Sequence, residues 1–196
     1  MHPVFSRNLF VVKEHVGMFK AANNYDILDP ESGEVLLECR EPNLGIFTKM
    51  LRFSDAKRMT PFDVHLSEPG GAPLLRVTRG IALFLSKVFV LNENDEELGG
   101  FKQKFFSIGG KFQLEDSAGR PLCMLKGKWT GWEFRFVDDN DNEFAKVSKK
   151  WSGMGKELFT TADTYVLQIS DHVPADNPLR ALILGSVMVI DMVLKE

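Results

Sequence analysis

The sequence predicts a mainly β fold: a closed antiparallel barrel of about 12 strands around one buried hydrophobic helix near the C-terminus. Three observations support this prediction. Short runs of Val, Phe, Leu and Ile alternate with clusters of Gly, Asp, Asn and Pro, which is typical of strands joined by tight turns. Phe occurs 16 times, against 2 Tyr and 3 Trp, and it suits a sheet interior because it has no polar group to satisfy. Residues 179–194 form an almost unbroken apolar run.

The candidate strands alternate apolar and polar residues, as in 132–137, so that aromatic side chains share one face. Turns rich in acidic residues or Gly start at Glu68, Asn92, Asp116 and Asp138, and two strands fit in each interval. This spacing indicates a meander of hairpins, and so long a sheet tends to close because closure removes its exposed edges. The candidate strands lie near 8–16, 24–29, 34–40, 62–68, 74–79, 82–91, 97–104, 110–115, 121–127, 132–137, 143–150 and 164–170.

The C-terminal run predicts a central helix over about 178–194, with Asn177 as its N-cap and Pro178 at its first position. A helix that is apolar all round must be buried in protein or in lipid. At 1.5 Å per residue it spans about 25 Å, short of the roughly 30 Å of a bilayer core. We favour burial in the barrel, because side chains alone fill so large a lumen poorly. Asp191 must then meet a polar partner or a barrel mouth.

Composition places the chain among ordinary globular proteins, and we expect residues 1–196 to form a single domain. A net charge of −3 argues against a dedicated nucleic-acid binder, which usually has a basic domain. Cys39 and Cys123 lie in apolar strand-like contexts and are expected to be buried free thiols. No signal peptide is recognisable, so we expect a reducing, cytoplasmic location.

Catalytic and metal motifs are not found in the sequence. It contains neither a Gly-x-Ser-x-Gly elbow nor a Walker A loop, and its four histidines lack ligand spacing. The acidic turn 138–143 has Glu143 where a calcium loop needs Gly, and Lys149 where it needs Glu. We interpret it as a solvated hairpin turn and expect a non-enzymatic protein without a cofactor.

Lysines alternate along several strands and lie close in sequence to tryptophans, a combination that an anionic membrane surface favours. Alternation places each lysine pair on one face of the sheet. The alternative is an ordinary solvated outer face with half-buried tryptophans. The membrane hypothesis names as lipid-binding residues Lys126, Lys128, Lys149 and Lys150, with Trp129 and Trp151 as interface anchors.

The segment 147–165 contains Ser148-Lys149-Lys150-Trp151 and then Phe159-Thr160-Thr161-Ala162-Asp163, and Ile190-Asp191 follows in the apolar run. This arrangement resembles the late segment of the phospholipid scramblases and of the plant LURP-one-related proteins. The resemblance is specific over residues 147–196 and implies the Tubby-like fold, a closed antiparallel barrel around a C-terminal helix.

The resemblance also bears on calcium. It implies an acidic calcium-responsive segment beginning at Phe-Thr-Asp-Ala-Asp, and here Thr161 replaces the first Asp while Asp163 remains. Because two hard oxygen ligands do not make a tight calcium site, Asp163 is at most a weak calcium ligand.

Together these features predict a non-enzymatic, scramblase-like protein that binds anionic phospholipid headgroups at the cytoplasmic membrane face. Two alternatives remain open. One is a phospholipid scramblase whose C-terminal helix inserts into the membrane. The other is a ligand- or protein-binding barrel with no membrane role.

Overall fold

The fold was obtained as a computed structural model, which describes residues 2–15, 24–42, 45, 60–81, 87–103, 112–128, 132–149, 164–190 and 192. Within these residues twelve strands form one closed antiparallel barrel, in which each strand pairs with the next in the chain. The strands are β1 (Leu9–Glu14), β2 (Tyr25–Leu28), β3 (Val35–Arg40), β4 (Phe62–Ser67), β5 (Pro73–Arg79), β6 (Lys87–Asn92), β7 (Glu97–Gln103), β8 (Phe112–Asp116), β9 (Pro121–Lys128), β10 (Glu133–Val137), β11 (Glu143–Ser148) and β12 (Thr164–Ile169).

The barrel closes where the first strand meets the last. β1 pairs with β12 from Leu9 opposite Gln168 to Lys13 opposite Thr164. The predicted barrel is thereby confirmed, and the four predicted turns all join paired strands of the meander.

The helix α1 (Leu179–Val189) lies inside the barrel, and every one of its residues is buried. Its first turn is capped as expected, because the Leu179 amide donates to Asn177 Oδ1 at 2.9 Å. The helix begins one residue later than predicted, after Pro178. Asp191 and residues 193–196 lie outside the described residues, so the predicted environment of Asp191 stays a prediction. In the described part of the chain, no helix combines the length and apolarity needed to cross a bilayer.

The barrel lumen is filled by side chains of the strands and by side chains of the helix. Strand side chains point inward, and the fully buried aromatic ones include Phe10, Phe101, Phe112, Phe134 and Phe136. Burying a side chain of this size contributes roughly 1.5–3 kcal/mol, so the Phe-rich interior is a main source of stability. Apolar residues of α1 occupy the remaining space and join the same core cluster.

Two glycines let the helix approach the wall. A Cβ atom at Gly185 of α1 would lie 3.3 Å from Val77 Cγ2, and one at Gly99 of β7 would lie 3.2 Å from Leu182 Cδ1. Gly99 also has a φ of +154°, a conformation that side-chain-bearing residues rarely adopt.

The two cysteines are buried free thiols, as predicted. Burial raises the pKa of the Cys123 thiol to about 12 and raises the pKa of Cys39 as well. Because the thiolate is the reactive form, both groups are poorly reactive in the folded protein.

Candidate functional site

The meander gives the barrel two ends with different connections. At one end, which we call the acidic end, lie the connections 29–34, 68–72, 93–96, 117–120, 138–142 and 170–178. At the other, the basic end, strands are joined by 15–24, 41–61, 80–86, 104–111, 129–132 and 149–163. These labels follow from the charges in the sequence, as described next.

Charge is separated between the two sets of connections. Those of the acidic end contain Arg120 as their only Lys or Arg, against Asp29, Glu31, Glu34, Glu68, Glu93, Asp95, Glu96, Asp138, Asp139, Asp141, Asp171 and Asp176. Those of the basic end contain Glu41, Asp55, Glu157 and Asp163, against Lys20, Lys49, Arg52, Lys57, Arg58, Lys104, Lys111, Lys149, Lys150 and Lys156. In a chain with a net charge of only −3, the sequences of the two sets of connections therefore carry opposite net charges.

Three turns of the acidic end share one construction. In each, the first side chain accepts two backbone N–H groups through its Oδ1 atom, at distances of 2.8–3.0 Å, from residues two and four positions ahead. The fourth residue of each turn has positive φ: Asp95 at 60°, Gly119 at 77° and Asp141 at 64°. The first residues are Asn92, Asp116 and Asp138, so this recurring turn explains three of the four turns of the repeat seen in the sequence.

The hydrogen bonds in these turns also stabilise the ionised form of the Asp carboxyl groups. The pKa of Asp116 is lowered chiefly by the Arg120 amide, and the pKa of Asp138 chiefly by the Asn142 side chain. Asp29, in the turn between β2 and β3, has a lowered pKa as well, chiefly because of the Ser32 amide. These three carboxylates thus act as turn caps.

Arg180 ties the start of α1 to the acidic end. Only 2% of this residue is exposed, and its guanidinium donates to backbone carbonyls of Val173, Pro174, Phe5 and Arg7. It also donates to Asn8 Oδ1 at 2.6 Å. Burial lowers the pKa of Arg180, but an arginine remains protonated in proteins. The Arg180 side chain therefore links the N-terminal segment, the connection after β12 and the helix.

Asn8 connects the hydrogen-bonded group around Arg180 to the carboxylate of Asp171. Its Nδ2 atom donates to Asp171 Oδ1 at 2.5 Å, and the negative charge of Asp171 favours the protonated Arg180. The positive N-terminal end of the α1 dipole also points toward the acidic connections, an arrangement that stabilises a helix.

At the basic end, Lys149 lies on a pair of stacked aromatic rings. Trp132 and Tyr165 stack with centroids 4.5 Å apart, and Lys149 Nζ lies 4.3 Å from the centroid of the Trp132 ring. The Tyr165 hydroxyl donates to Glu14 Oε2 at 3.4 Å. Trp132 has a φ of +47°, uncommon for a bulky residue, and packs against the core. Lys149, predicted as a lipid ligand, thus has a cation–π contact in the folded chain.

Lys126 belongs to a row of basic residues across β9, β10 and β11, in which Lys126 faces Arg135 and Arg135 faces Lys146. The row is balanced by acids. Lys126 Nζ lies 3.0 Å from Asp141 Oδ1, and Lys146 Nζ lies 2.9 Å from Glu133 Oε1. This part of the outer face is therefore a network of surface ion pairs.

The other predicted site residues can be placed only by topology. Lys128 is the last residue of β9, at the basic end. Lys150, Trp129, Trp151 and Asp163 lie outside the described residues, in the sequence of basic-end connections. The lipid-binding role of these residues, and of Lys126 and Lys149, stays a prediction.

Metal binding has no candidate cluster in the described ranges, where no three His, Cys, Asp or Glu side chains are grouped to hold an ion. The acidic turn 138–142 uses its carboxylates otherwise: Asp138 caps the turn and Asp141 pairs with Lys126. Asp163, the weak calcium candidate, lies outside the described residues.

An open pocket of about 450 Å³ lies at the acidic end, beside the start of α1. Its apolar lining includes Phe5, Leu74 and Leu98, and its polar rim includes Glu93 and Asp176. This is the space that a ligand-binding barrel would use.

Sequence reasoning missed the role of Arg180 and the separation of charge. Arg180 was visible only as a lone charge at the start of an apolar run, and its partners are up to 175 positions away. The charge separation had a usable signal, because successive connections of a meander alternate between the two ends.

Comparison with known proteins adds to this geometry. A family model described as Scramblase matches residues 8–196. The chain is 25% identical over 135 residues to mouse phospholipid scramblase 1 and 26% identical over 134 residues to bovine phospholipid scramblase 2. Each match covers 68% of this chain but only 35% and 39%, respectively, of those relatives.

A crystal structure of an Arabidopsis thaliana protein has the same fold, with a TM-score of 0.55 and 16% sequence identity. The match covers 97% of this chain and 94% of the plant protein. The fold supports the resemblance drawn from the motifs in 147–196, and the family model extends it over nearly the whole sequence. The chain belongs to the Scramblase family.

Proposed function

We propose that this protein is a non-enzymatic, scramblase-like domain that binds anionic phospholipid headgroups at the cytoplasmic face of a membrane, with α1 kept inside the barrel. The separation of charge between the sequences of the two sets of connections carries the proposal. The basic end would face the lipid, and the acidic end would face the solvent.

Distance and screening make this orientation favourable despite the net charge of −3. Strands of about six residues, at 3.4 Å per residue and tilted by 35–45°, separate the two ends by roughly 15 Å. The Debye length at physiological ionic strength is about 8 Å, so the acidic end is largely screened from the membrane. Each Lys or Arg close to an anionic surface contributes about 1 kcal/mol of binding.

The residues predicted from the sequence fit this surface unequally. Lys128, Lys149 and Lys150, together with Trp129 and Trp151, belong to strand ends or connections of the basic end. Lys126 lies further along β9 and pairs with Asp141, so we expect it to contribute less.

The alternative, in which α1 inserts into a membrane, costs more free energy. The helix would have to leave the core, and Arg180 would have to break its hydrogen bonds to the N-terminal segment. A buried charge without partners is costly, which favours a helix that stays in the barrel.

Vesicle flotation tests the proposal. Protein purified without detergent is mixed with neutral or phosphatidylserine-containing vesicles at low and high salt. We expect salt-sensitive binding to the anionic vesicles only. The triple variant Lys128→Ala, Lys149→Ala, Lys150→Ala should bind about 100-fold more weakly, at roughly 1 kcal/mol per lysine.

A matched control changes charge at the other end. The triple variant Glu31→Gln, Glu93→Gln, Asp139→Asn alters three exposed acidic side chains and, at physiological ionic strength, should leave binding within about two-fold because of screening. If both triple variants shift binding equally, binding follows net charge and the orientation is wrong. If the wild type binds no vesicles, the proposal fails and the pocket beside α1 becomes the place to seek a ligand.

A further inference from the structure

The pocket beside the start of α1 is formed by distant parts of the chain. Its walls come from the N-terminal segment, from the ends of β5, β6 and β7 that meet the acidic end, and from the first turn of α1. Every connection of the acidic end lies within the described residues. A volume of about 450 Å³ is in the range of ligand pockets, roughly 300–1,000 Å³. The space is therefore large enough for a small organic molecule.

The walls of this pocket are mostly apolar. Ala181, with its single methyl group, leaves space at the start of α1 that a larger side chain would fill. Phe5 and Leu75 are buried in the wall, whereas Leu74 and Leu98 are only half-buried. Apolar surface that stays in contact with water is stabilised when an apolar molecule covers it. The walls therefore favour a ligand with an apolar body.

Two carboxylates at the rim have no partner in the part of the chain that the structure describes. Glu93 and Asp176 are exposed, and neither side chain forms an ion pair or a hydrogen bond with a described residue. The other polar lining residues are engaged, because Asn92 accepts two amides and donates to a carboxylate. His2 Nε2 lies 3.4 Å from Glu68 Oε1. The mouth of the pocket therefore carries unpaired negative charge.

An anion finds few donors at this site, although a helix N-terminus lies beside it. The Leu179 amide already donates to Asn177 Oδ1, and the Arg180 amide donates to the Asn177 carbonyl. Pro178, which lines the pocket, has no N–H group. The Arg180 guanidinium is buried in its own hydrogen bonds and does not line the pocket. Arg120, the only Lys or Arg in the connections of this end, lies in another turn. The site therefore favours a cation.

We propose that this pocket binds a small amphiphilic cation, an organic amine with an apolar body. The body lies against Phe5, Leu74 and Leu98, and the ammonium group pairs with Glu93 and Asp176 at the rim. Burial of the body supplies most of the affinity, since exposed ion pairs contribute little, and the carboxylates select for positive charge. This site lies at the end of the barrel opposite the proposed lipid surface and does not depend on that surface.

Three dansyl probes that differ only in their terminal group test the charge of the ligand. Dansylcadaverine ends in an ammonium group, its N-acetyl derivative is neutral, and dansylaminohexanoic acid ends in a carboxylate. Binding in an apolar site shifts dansyl emission to the blue and raises its intensity, so a fluorescence titration measures affinity. We expect dansylcadaverine to bind about ten-fold more tightly than the carboxylate probe, with the neutral probe between them, because two carboxylates attract one probe and repel the other.

A double variant removes the two carboxylates of the rim. Glu93→Gln with Asp176→Asn should weaken dansylcadaverine binding about five-fold and leave the neutral probe unchanged. The matched control, Glu31→Gln with Asp139→Asn, removes the same charge from two exposed positions of the acidic end that do not line the pocket. At physiological ionic strength it should change dansylcadaverine binding by less than about two-fold, because of screening.

Methyl NMR spectra locate the bound probe. On addition of dansylcadaverine, the methyl resonances of Leu74 and Leu98 should shift, because both side chains line the pocket. Leu122 provides the comparison, since it is exposed at the acidic end but does not line this pocket. Its methyl resonances should stay in place.

The outcomes decide this proposal separately from the proposed function. Equal affinity for the three probes, or tighter binding of the carboxylate probe, would overturn it. It would also be overturned by equal losses in the two double variants, by unshifted Leu74 and Leu98 resonances, or by no binding of any probe. Vesicle flotation of the Glu93→Gln, Asp176→Asn variant should match that of the wild type, so the failure of one proposal leaves the other standing.

Discussion

The two ends of the barrel differ in how their connections are built. At the acidic end the turns are short, their carboxylates and amides cap backbone N–H groups, and Arg180 joins three segments. At the basic end the connections are mostly longer, and they carry lysines and apolar residues. Carboxylates at the acidic end stabilise the turns that carry them. At the basic end, Lys87 and Lys102 form no ion pair with a carboxylate of the described residues. We therefore expect changes in the turns of the acidic end to alter stability and changes at the basic end to alter vesicle binding.

The largest expected effect comes from Arg180→Met. The change leaves the carbonyls of Phe5, Arg7 and Val173 without their guanidinium donor. Each unsatisfied buried group costs about 1–3 kcal/mol, so the free energy of unfolding should fall by roughly 3 kcal/mol or more. Urea denaturation followed by circular dichroism measures this loss.

Arg180→Lys serves as the control, because it keeps the charge but loses the planar fork of donors. We expect it to lose less stability than Arg180→Met, and vesicle binding of the folded protein should be unchanged in both. If the free energy of unfolding falls by less than about 1 kcal/mol in Arg180→Met, the Arg180 side chain does not stabilise the acidic end as we infer.

A smaller effect is expected for Asn92→Ala. The Asn92 side chain accepts the amides of Asn94 and Glu96, so its removal should cost about 1 kcal/mol of unfolding free energy. Asn94→Ala, in the same turn, should change stability by no more than about 0.5 kcal/mol. Thermal denaturation of both variants makes the comparison, and equal effects would show that the Asn92 side chain is not the source of turn stability.

The smallest effect is the response to acid. The pKa values of Asp29, Asp116 and Asp138 are lower in the folded protein than the value of about 3.9 in an unfolded chain. Their stabilising contribution is therefore complete above the unfolded pKa and disappears as pH falls through the lower, folded values. Denaturation midpoints between pH 6 and pH 3 should decline, and Asp29→Asn should decline less steeply. A parallel decline in that variant would show that the Asp29 carboxylate is not involved.

Much of the fold followed from local patterns. Alternating strands and turn residues are short-range features, so the number of strands and the closed barrel were predicted. The capping residue Asn177 was also found, because a helix cap depends on adjacent residues. The predicted strand 82–91 agrees with β6 from Lys87 onward, and residues 82–86 lie outside the described residues.

The candidate site was less predictable, since it depends on register. Lys87 faces Lys102 only because the pairing shifts between Val90 and Leu91, and no local pattern reveals that shift. Lys126 was read as an exposed lysine, but its partner Asp141 is brought near by the hairpin of β10 and β11. Lys149 lies over Trp132, whose uncommon positive φ no sequence pattern indicates.

The pairing of the first strand with the last has a consequence for synthesis on the ribosome. Glu14 and its contact Tyr165 are 151 positions apart, so at 5–20 residues per second β1 waits roughly 8–30 s for its partner. Throughout that interval an apolar edge strand containing Val11 and Val12 is available to other nascent chains. The helix that fills the lumen follows all twelve strands in the chain, so it emerges after them. Slower or cooler expression, or more chaperone, should therefore raise the yield of folded protein without changing its stability.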